Sequence, residues 1–461
     1  MECIDYKKTY PQINGKTYFV TTFGCQMNMH DSERVAGLLE ACGAIPVAHE
    51  NDADIICYMT CCVRENADQK LYGTVNRMKS APASPCGKRV ICVGGCIAQR
   101  DGENIRKHMS DVDVVFGTQQ IGSLPELICD CFDEKKDRLH TNTIEDYKTF
   151  STDYPSKRES KYQAWLPIMT GCNNFCTYCI VPYVRGREAS RTIESIVEEC
   201  NFLVEDGVRE VTLLGQNVNS YGKNIYGKDC FGELLREVGK TGIERIRFTS
   251  SNPHDLTDDI IEAMAETPAV APHLHLAVQS GSNRILKAMN RKYTAEKYIE
   301  VANKLHARMD DFNLTTDIIV GFPGETEEDF QQTLDLVNEV GFASAFTFIY
   351  SPRPGTPAAK MDLDIPHEVI QDRFDRLVAA VQDNANKANL KDLNKTVEVL
   401  VEGSSKKNDN IMTGHSEKNV TVHFPVIEGV KPEDMIGKFV NVKVDEARTW
   451  YLRGDVVGGM H

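Results

Sequence analysis

Short apolar runs, each followed by a stretch of helical period, alternate along most of this chain, and no other feature restricts its fold as much. TYFVTT (17–22), ADIICYMT (53–60), RVICVGG (89–95) and VDVVFGT (112–118) predict strands, with helical patterning such as DSERVAGLLEACG between them. That alternation predicts a doubly wound, parallel-sheet α/β domain over residues 15–133. A polar, aperiodic stretch at 134–162 reads as a linker. Alternation resumes over 163–390 with AWLPIMT, EVTLLG, RIRFTS, HLHLAV, LTTDIIV and SAFTFIY. Six βα units predict an open (β/α)6-type barrel, with its chemistry at the C-terminal ends of the strands. From 391 to 457 the texture changes to TVEVLVEG, IMTGHS, NVTVHFPV, KFVNVKVDEA and WYLRGDVV, separated by Gly, Asn and Asp. Those segments predict a small antiparallel β-barrel.

A chain of 461 residues is long enough for such a three-part plan, and its 41% hydrophobic and 26% charged content is that of a soluble globular protein. No apolar run is long enough to span a bilayer, so no membrane partner is expected. The start, MECIDYKKTYPQ, lacks the apolar core of a secretory signal, which makes the cytoplasm the expected compartment. A formal charge of -15 argues against nucleic acid as a partner. Locally the balance differs. Arg185, Arg187 and Arg191 cluster in sequence, and Arg247 and Arg291 fall at expected barrel loops; a patch of this kind can bind RNA despite the total. Sixteen cysteines in a reducing compartment point to metal or catalytic use and not to disulfides.

GCNNFCTYC (171–179) follows the first barrel strand, where catalytic groups collect. It supplies three thiols, and no Cys or His lies within fifteen residues on either side to complete a zinc site. A cubane iron–sulfur cluster held by three thiolates leaves one iron open for a ligand; a zinc knuckle or three incidental thiols is the bland alternative. A second set is less obvious. Cys25, Cys61 and Cys96 each follow a strand at a strand-to-helix turn, so a parallel sheet would bring them to one crevice. Gly24, Gly94 and Gly95 would let backbone amides approach cluster sulfurs. Cys62, next to Cys61, stays open as a substitute. Cys42, Cys57 and Cys92 fit buried small hydrophobes.

CxxxCxxC with Tyr178 before the last Cys resembles the radical S-adenosylmethionine (SAM) superfamily. FGCQMNMHDSERV, GCNNFCTYCIVPYVRGREASR, LLGQNVNSYG, VQSGSNRIL, DIIVGFPGETEEDF and YSPRPGTPAA narrow the resemblance to the tRNA methylthiotransferases, in the branch acting on N6-isopentenyladenosine. The likeness runs from about Lys16 to Asp455. It implies a 4Fe-4S cluster on Cys172, Cys176 and Cys179 that binds and cleaves SAM, and an auxiliary 4Fe-4S cluster on Cys25, Cys61 and Cys96 that holds the sulfur to be transferred. Two SAM would be consumed per product. Tyr178, Gly215, Gln216, Gln279 and Ser280 match SAM-contacting positions, and Arg185, Arg187 and Arg191 stand as RNA contacts. Residues 391–457 resemble the TRAM RNA-binding module, with His415 where Arg is common. The implied substrate is tRNA with an isopentenylated adenosine at position 37; the alternative is threonylcarbamoyladenosine tRNA or a ribosomal-protein aspartate. An electron donor such as flavodoxin or ferredoxin and a sulfur donor are implied partners of a monomer. No acid–base side chain is demanded.

Overall fold

The computed structural model describes residues 4–62, 66–78, 82–133, 139–140 and 154–461. It forms two compact units, Met1–Ser160 with Met169–Asn173 and Cys179–Ala189, and Lys161–Ile168 with Asn174–Tyr178 and Ser190–His461. Among the described residues no helix is long and apolar enough to cross a membrane.

In the first unit, β1 (Thr17–Phe23), β2 (Ile45–Pro46), β3 (Ile55–Thr60), β4 (Val90–Gly95), β5 (Val114–Phe116) and β6 (Leu139–His140) form one parallel sheet in the order β2-β1-β3-β4-β5-β6. β3 and β4 are buried at every position, as central strands covered on both faces must be. Alternate residues feed different layers. Ile55, Cys57, Met59, Val90 and Cys92 pack with Val35, Leu38 and Leu39 of the helix Gln26–Ala41 and with Leu127 and Ile128. Ile56, Tyr58, Ile91 and Val93 pack on the opposite face with Leu71, Val75, Ile97 and Ile105. The thiols of Cys42, Cys57 and Cys92 lie in the first layer as small hydrophobes. β2 and β6 are two residues long, too short to leave a pattern in the sequence.

Two stretches near the expected boundaries pack with the first unit. Of the stretch read as a linker, 134–162, residues 134–138 and 141–153 lie outside the described residues. Its end is not linker-like, because the Lys157 N–H bonds the Glu33 carbonyl at 2.9 Å and Tyr154 stacks under the Arg34 guanidinium. Residues 179–189, assigned from the sequence to the central domain, instead bring Ile180 and Val184 into the apolar layer beside Val93 and Ile97.

The second unit begins with β7 (Gln163–Pro167); β8 (Met169–Thr170), in the first unit, and β9 (Ala189–Ser190) form a separate two-stranded ladder. β10 (Glu210–Leu214), β11 (Arg245–Phe248), β12 (His273–His275), β13 (Asn313–Val320) and β14 (Ser344–Ile349) follow. β7, β10 and β11 pair in parallel, as do β12, β13 and β14, and the parallel bridges Ile246–Val270 and Ser251–Leu276 join the two sets. Six parallel strands in chain order make the open half-barrel that the sequence predicts.

β15 (Thr396–Ser405), β16 (Asn408–Ser416), β17 (Thr421–Pro425), β18 (Phe439–Ala447) and β19 (Tyr451–Val456) close into a barrel ordered β15-β16-β17-β19-β18. Four of its pairings are antiparallel, as expected, and β17 and β19 run parallel. A closed ring with an odd number of strands cannot alternate direction all the way round, so one parallel pair is forced. Arg245 and Arg247 tie this barrel to the half-barrel. Arg247 donates to the carbonyls of Ser416 and Glu417 at 2.8 and 3.1 Å and to the Glu210 carboxylate at 2.9 Å, while Arg245 meets Glu398 at 2.9 Å. The Arg247 expected at a loop is thus buried within β11 and committed to protein partners. His415 is also engaged, with Nδ1 2.7 Å from the Glu402 carboxylate.

Candidate metal centres

Three adjacent strands, β1, β3 and β4, end at the same edge of the first sheet, and each delivers one thiol there. Cys25 caps the helix Gln26–Ala41, Cys61 directly follows β3, and Cys96 opens the helix Cys96–Asp101. The structure brings the three together. Cys25 is hydrogen-bonded to Cys61, which pushes its thiol down to about 5 against the opposing effect of burial, helped by Arg185 and the N–H groups of Asn28 and Met27. Cys96 is fully enclosed, and burial pushes its thiol up although Arg185 faces it. Cys62 points elsewhere, into the apolar layer with Tyr58 and Leu71.

Two residues missed in the sequence organise this edge. Asn28 accepts from the Cys25 thiol at 3.3 Å and donates Nδ2 to the Thr60 carbonyl at 2.9 Å, linking the turns that carry Cys25 and Cys61. Asp31, buried, holds the buried Arg185 guanidinium at 2.8 Å. Burial disfavours the Arg185 charge, but Cys96 and Asp31 outweigh it and keep the group above its ordinary range. Two of the glycines at this edge sit at close approaches. A Cβ on Gly94 would lie 2.2 Å from the Phe116 ring, and one on Gly95, at φ +92°, 2.5 Å from the Thr60 carbonyl. Both positions permit close packing of the strand ends.

The nine-residue cysteine loop is fastened at both ends. In the first unit, the Cys172 N–H bonds the Gly186 carbonyl at 3.1 Å, and Asn173 gives its N–H and Nδ2 to the Glu188 carboxylate at 3.1 and 3.2 Å. Cys179 is half-buried. In the second unit, the Thr177 N–H and hydroxyl bond the carbonyls of Met289 and Ala288, both at 3.0 Å. Arg291, expected at a barrel loop, is half-buried and engaged by protein partners: Nη1 lies 3.4 Å from the Cys176 sulfur and Nη2 2.8 Å from the Ala277 carbonyl. Tyr178 packs against Ile285, Met289, Phe322 and Tyr350. Among the described residues no group of three or more Cys, His, Asp or Glu has the spacing of a single-ion cage.

Of the other expected contacts, Gly215 is buried and Gln216 half-buried in the turn after β10. Gln279 sits at φ +69° and bridges to Ile318 through its backbone. Ser280 is 1% exposed, and its hydroxyl lies 3.3 Å from that of Thr333 and accepts from the Ser282 N–H. Arg185 and Arg191, expected to contact RNA, have protein partners. Both are buried, the first on Asp31 and the second on the Pro167 carbonyl at 2.9 Å and Glu199 at 2.6 Å. Arg187 is exposed.

Residues 166–337 match the Radical SAM superfamily, 17–117 the uncharacterized protein family UPF0004, and 391–457 the TRAM domain. The chain is 47% identical over 460 residues to the tRNA-2-methylthio-N(6)-dimethylallyladenosine synthase of Acetivibrio thermocellus, covering 98% of this chain and 94% of that protein. It is 48% identical over 445 residues to the protein of the same name from Streptomyces viridosporus, covering 95% and 86%. Among solved structures it is similar to the radical S-adenosylmethionine methyltransferase TsrM from Kitasatospora setae, with cobalamin and a 4Fe-4S cluster bound. The TM-score there is 0.56 at 11% identity, over 75% of this chain and 77% of that one. At that identity the likeness concerns the fold alone.

Proposed function

Because the chain belongs to the tRNA-2-methylthio-N(6)-dimethylallyladenosine synthase family, we propose that it adds a methylthio group to C2 of N6-isopentenyladenosine at tRNA position 37. The observation that carries this is identity near one half along almost the whole length, through all three matched segments.

Cys172, Cys176 and Cys179 would hold the 4Fe-4S cluster that binds SAM, and Cys25, Cys61 and Cys96 a second 4Fe-4S cluster. When bound, these groups supply one-electron cleavage of SAM at the first site and a sulfur carrier at the second. The protein's own contribution is placement and charge. Asn28 fixes the spacing of two thiol-bearing turns. Arg185 and Arg291 put a permanent positive charge beside thiolates that carry several negative ones. Cys61 is favoured over Cys62 because it is the hydrogen-bond partner of Cys25.

A low-potential electron donor such as flavodoxin or ferredoxin, a sulfur donor, two SAM per product, a monomeric state and the cytoplasm complete the proposal; a reducing compartment keeps six ligand thiols available. Nucleoside mass spectrometry of tRNA from a deletion strain tests the reading. Loss of the methylthio group with the isopentenyl group retained is the expected result, and an unchanged methylthio-isopentenyladenosine level would overturn it.

A further inference from the structure

The concave face of the half-barrel carries two exposed aromatic side chains. On β13, Thr315, Asp317 and Ile319 are half-buried while Leu314, Thr316, Ile318 and Val320 are buried. The buried set faces the helical layer, where the helix His367–Leu390 lies against β13 and β14. Register pairs Thr315, Asp317 and Ile319 with Ser344, Phe346 and Phe348. Directly paired residues share a face, so both phenylalanines point to the concave side. They are 62% and 47% exposed, on the edge strand β14. Two large apolar rings in that position call for an occupant.

Their surroundings differ in polarity. The His275 ring meets Phe346 edge-on at 5.9 Å, and its Nε2 lies 3.3 Å from the Asp317 carboxylate. Phe348 is paired with Ile319, which packs into the apolar group containing Tyr178, the residue before Cys179. The strip therefore runs from a polar end to an apolar end that reaches the cysteine loop.

We propose that Phe346 and Phe348 are the seat of the alkylated adenine, with Phe346 stacked on the purine and Phe348 against the five-carbon side chain. This rests on the functional reading above. A purine has hydrogen-bonding edges that suit His275 and Asp317, whereas the alkyl chain has none and suits Ile319. A base taken out of an RNA loop is held by stacking on an aromatic face, a contact that tolerates any ring chemistry. The apolar partner is what would add preference for the alkylated base.

The test measures binding of two synthetic anticodon stem-loops, one with isopentenyladenosine and one with adenosine at the target position, to the full cluster-loaded chain. Phe348→Ala should weaken binding of the alkylated RNA about tenfold and leave the unmodified RNA unchanged. Phe346→Ala should weaken both about tenfold, with Phe346→Trp restoring them. Both side chains are exposed, so melting temperatures should match the wild type. Unchanged affinities in both Ala variants, while the wild type still forms methylthio product on the alkylated RNA, would overturn the seat alone. No product from the wild type would overturn the functional reading beneath it.

Discussion

Glu33 is buried in the helix Gln26–Ala41, and its carboxylate accepts the Glu159 N–H at 3.1 Å. Burial pushes its pKa up to about 7. The folded chain thus keeps a proton that the unfolded chain has already released between about pH 4.5 and 7, and stability falls as pH rises through that window. Replacing Glu33 by Gln should raise the melting temperature at pH 8, equivalent to about 1 kcal/mol or more, with the advantage vanishing below pH 5. At the thiols, Cys61→Ala should abolish methylthiolation, leave 5′-deoxyadenosine formation detectable and reduce iron from about eight to about four per chain. Cys62→Ala should keep the iron and cost only core packing, about 1–2 kcal/mol in denaturant unfolding. Full activity in the Cys61 variant would move the assignment to Cys62. The cysteines were legible because each follows a strand or sits in a tight motif. Arg185 and Asp31 were not, since they are 154 residues apart and only the folded chain reveals their ion pair.

Elements here are held in place by backbone approaches that only small residues allow. A Cβ on Gly171, at φ +77°, would lie 1.9 Å from the Arg187 carbonyl, in the turn from which Gly186 receives the Cys172 N–H. Gly171→Ala should therefore displace the start of the cysteine loop, costing about 2 kcal/mol or more in stability and lowering iron content without any change to a thiol. Ten long strands were readable from apolar runs, and so were the five of the small barrel. The two-residue strands were not, because periodicity needs several residues to register. The parallel pair in the barrel was equally hidden: pattern reports which face is buried, not which way a neighbour runs.

Across the second unit, stability depends on a few buried charges. Arg247→Ala would leave the Glu210 carboxylate with Arg245 at 3.6 Å as its ion-pair partner and strip two carbonyls of the small barrel of their donor. A loss of about 3–5 kcal/mol is expected in equilibrium unfolding. Net charge misled at this scale. Several of the arginines that looked like an RNA-facing patch are interior fasteners, and the total of -15 says little about any one surface.

Residues 179–189 belong to the first unit although the chain reaches them only after β7 and the start of the cysteine loop. During synthesis, then, the first 160 residues leave the ribosome with an unfinished interior. Asp31 waits for its guanidinium, and the layer holding Val93 and Ile97 waits for Ile180 and Val184. A fragment cut at residue 133 or 160 inherits that gap permanently, so the amino-terminal portion should prove insoluble or poorly folded when expressed alone and recover when extended to residue 189 with the intervening chain included.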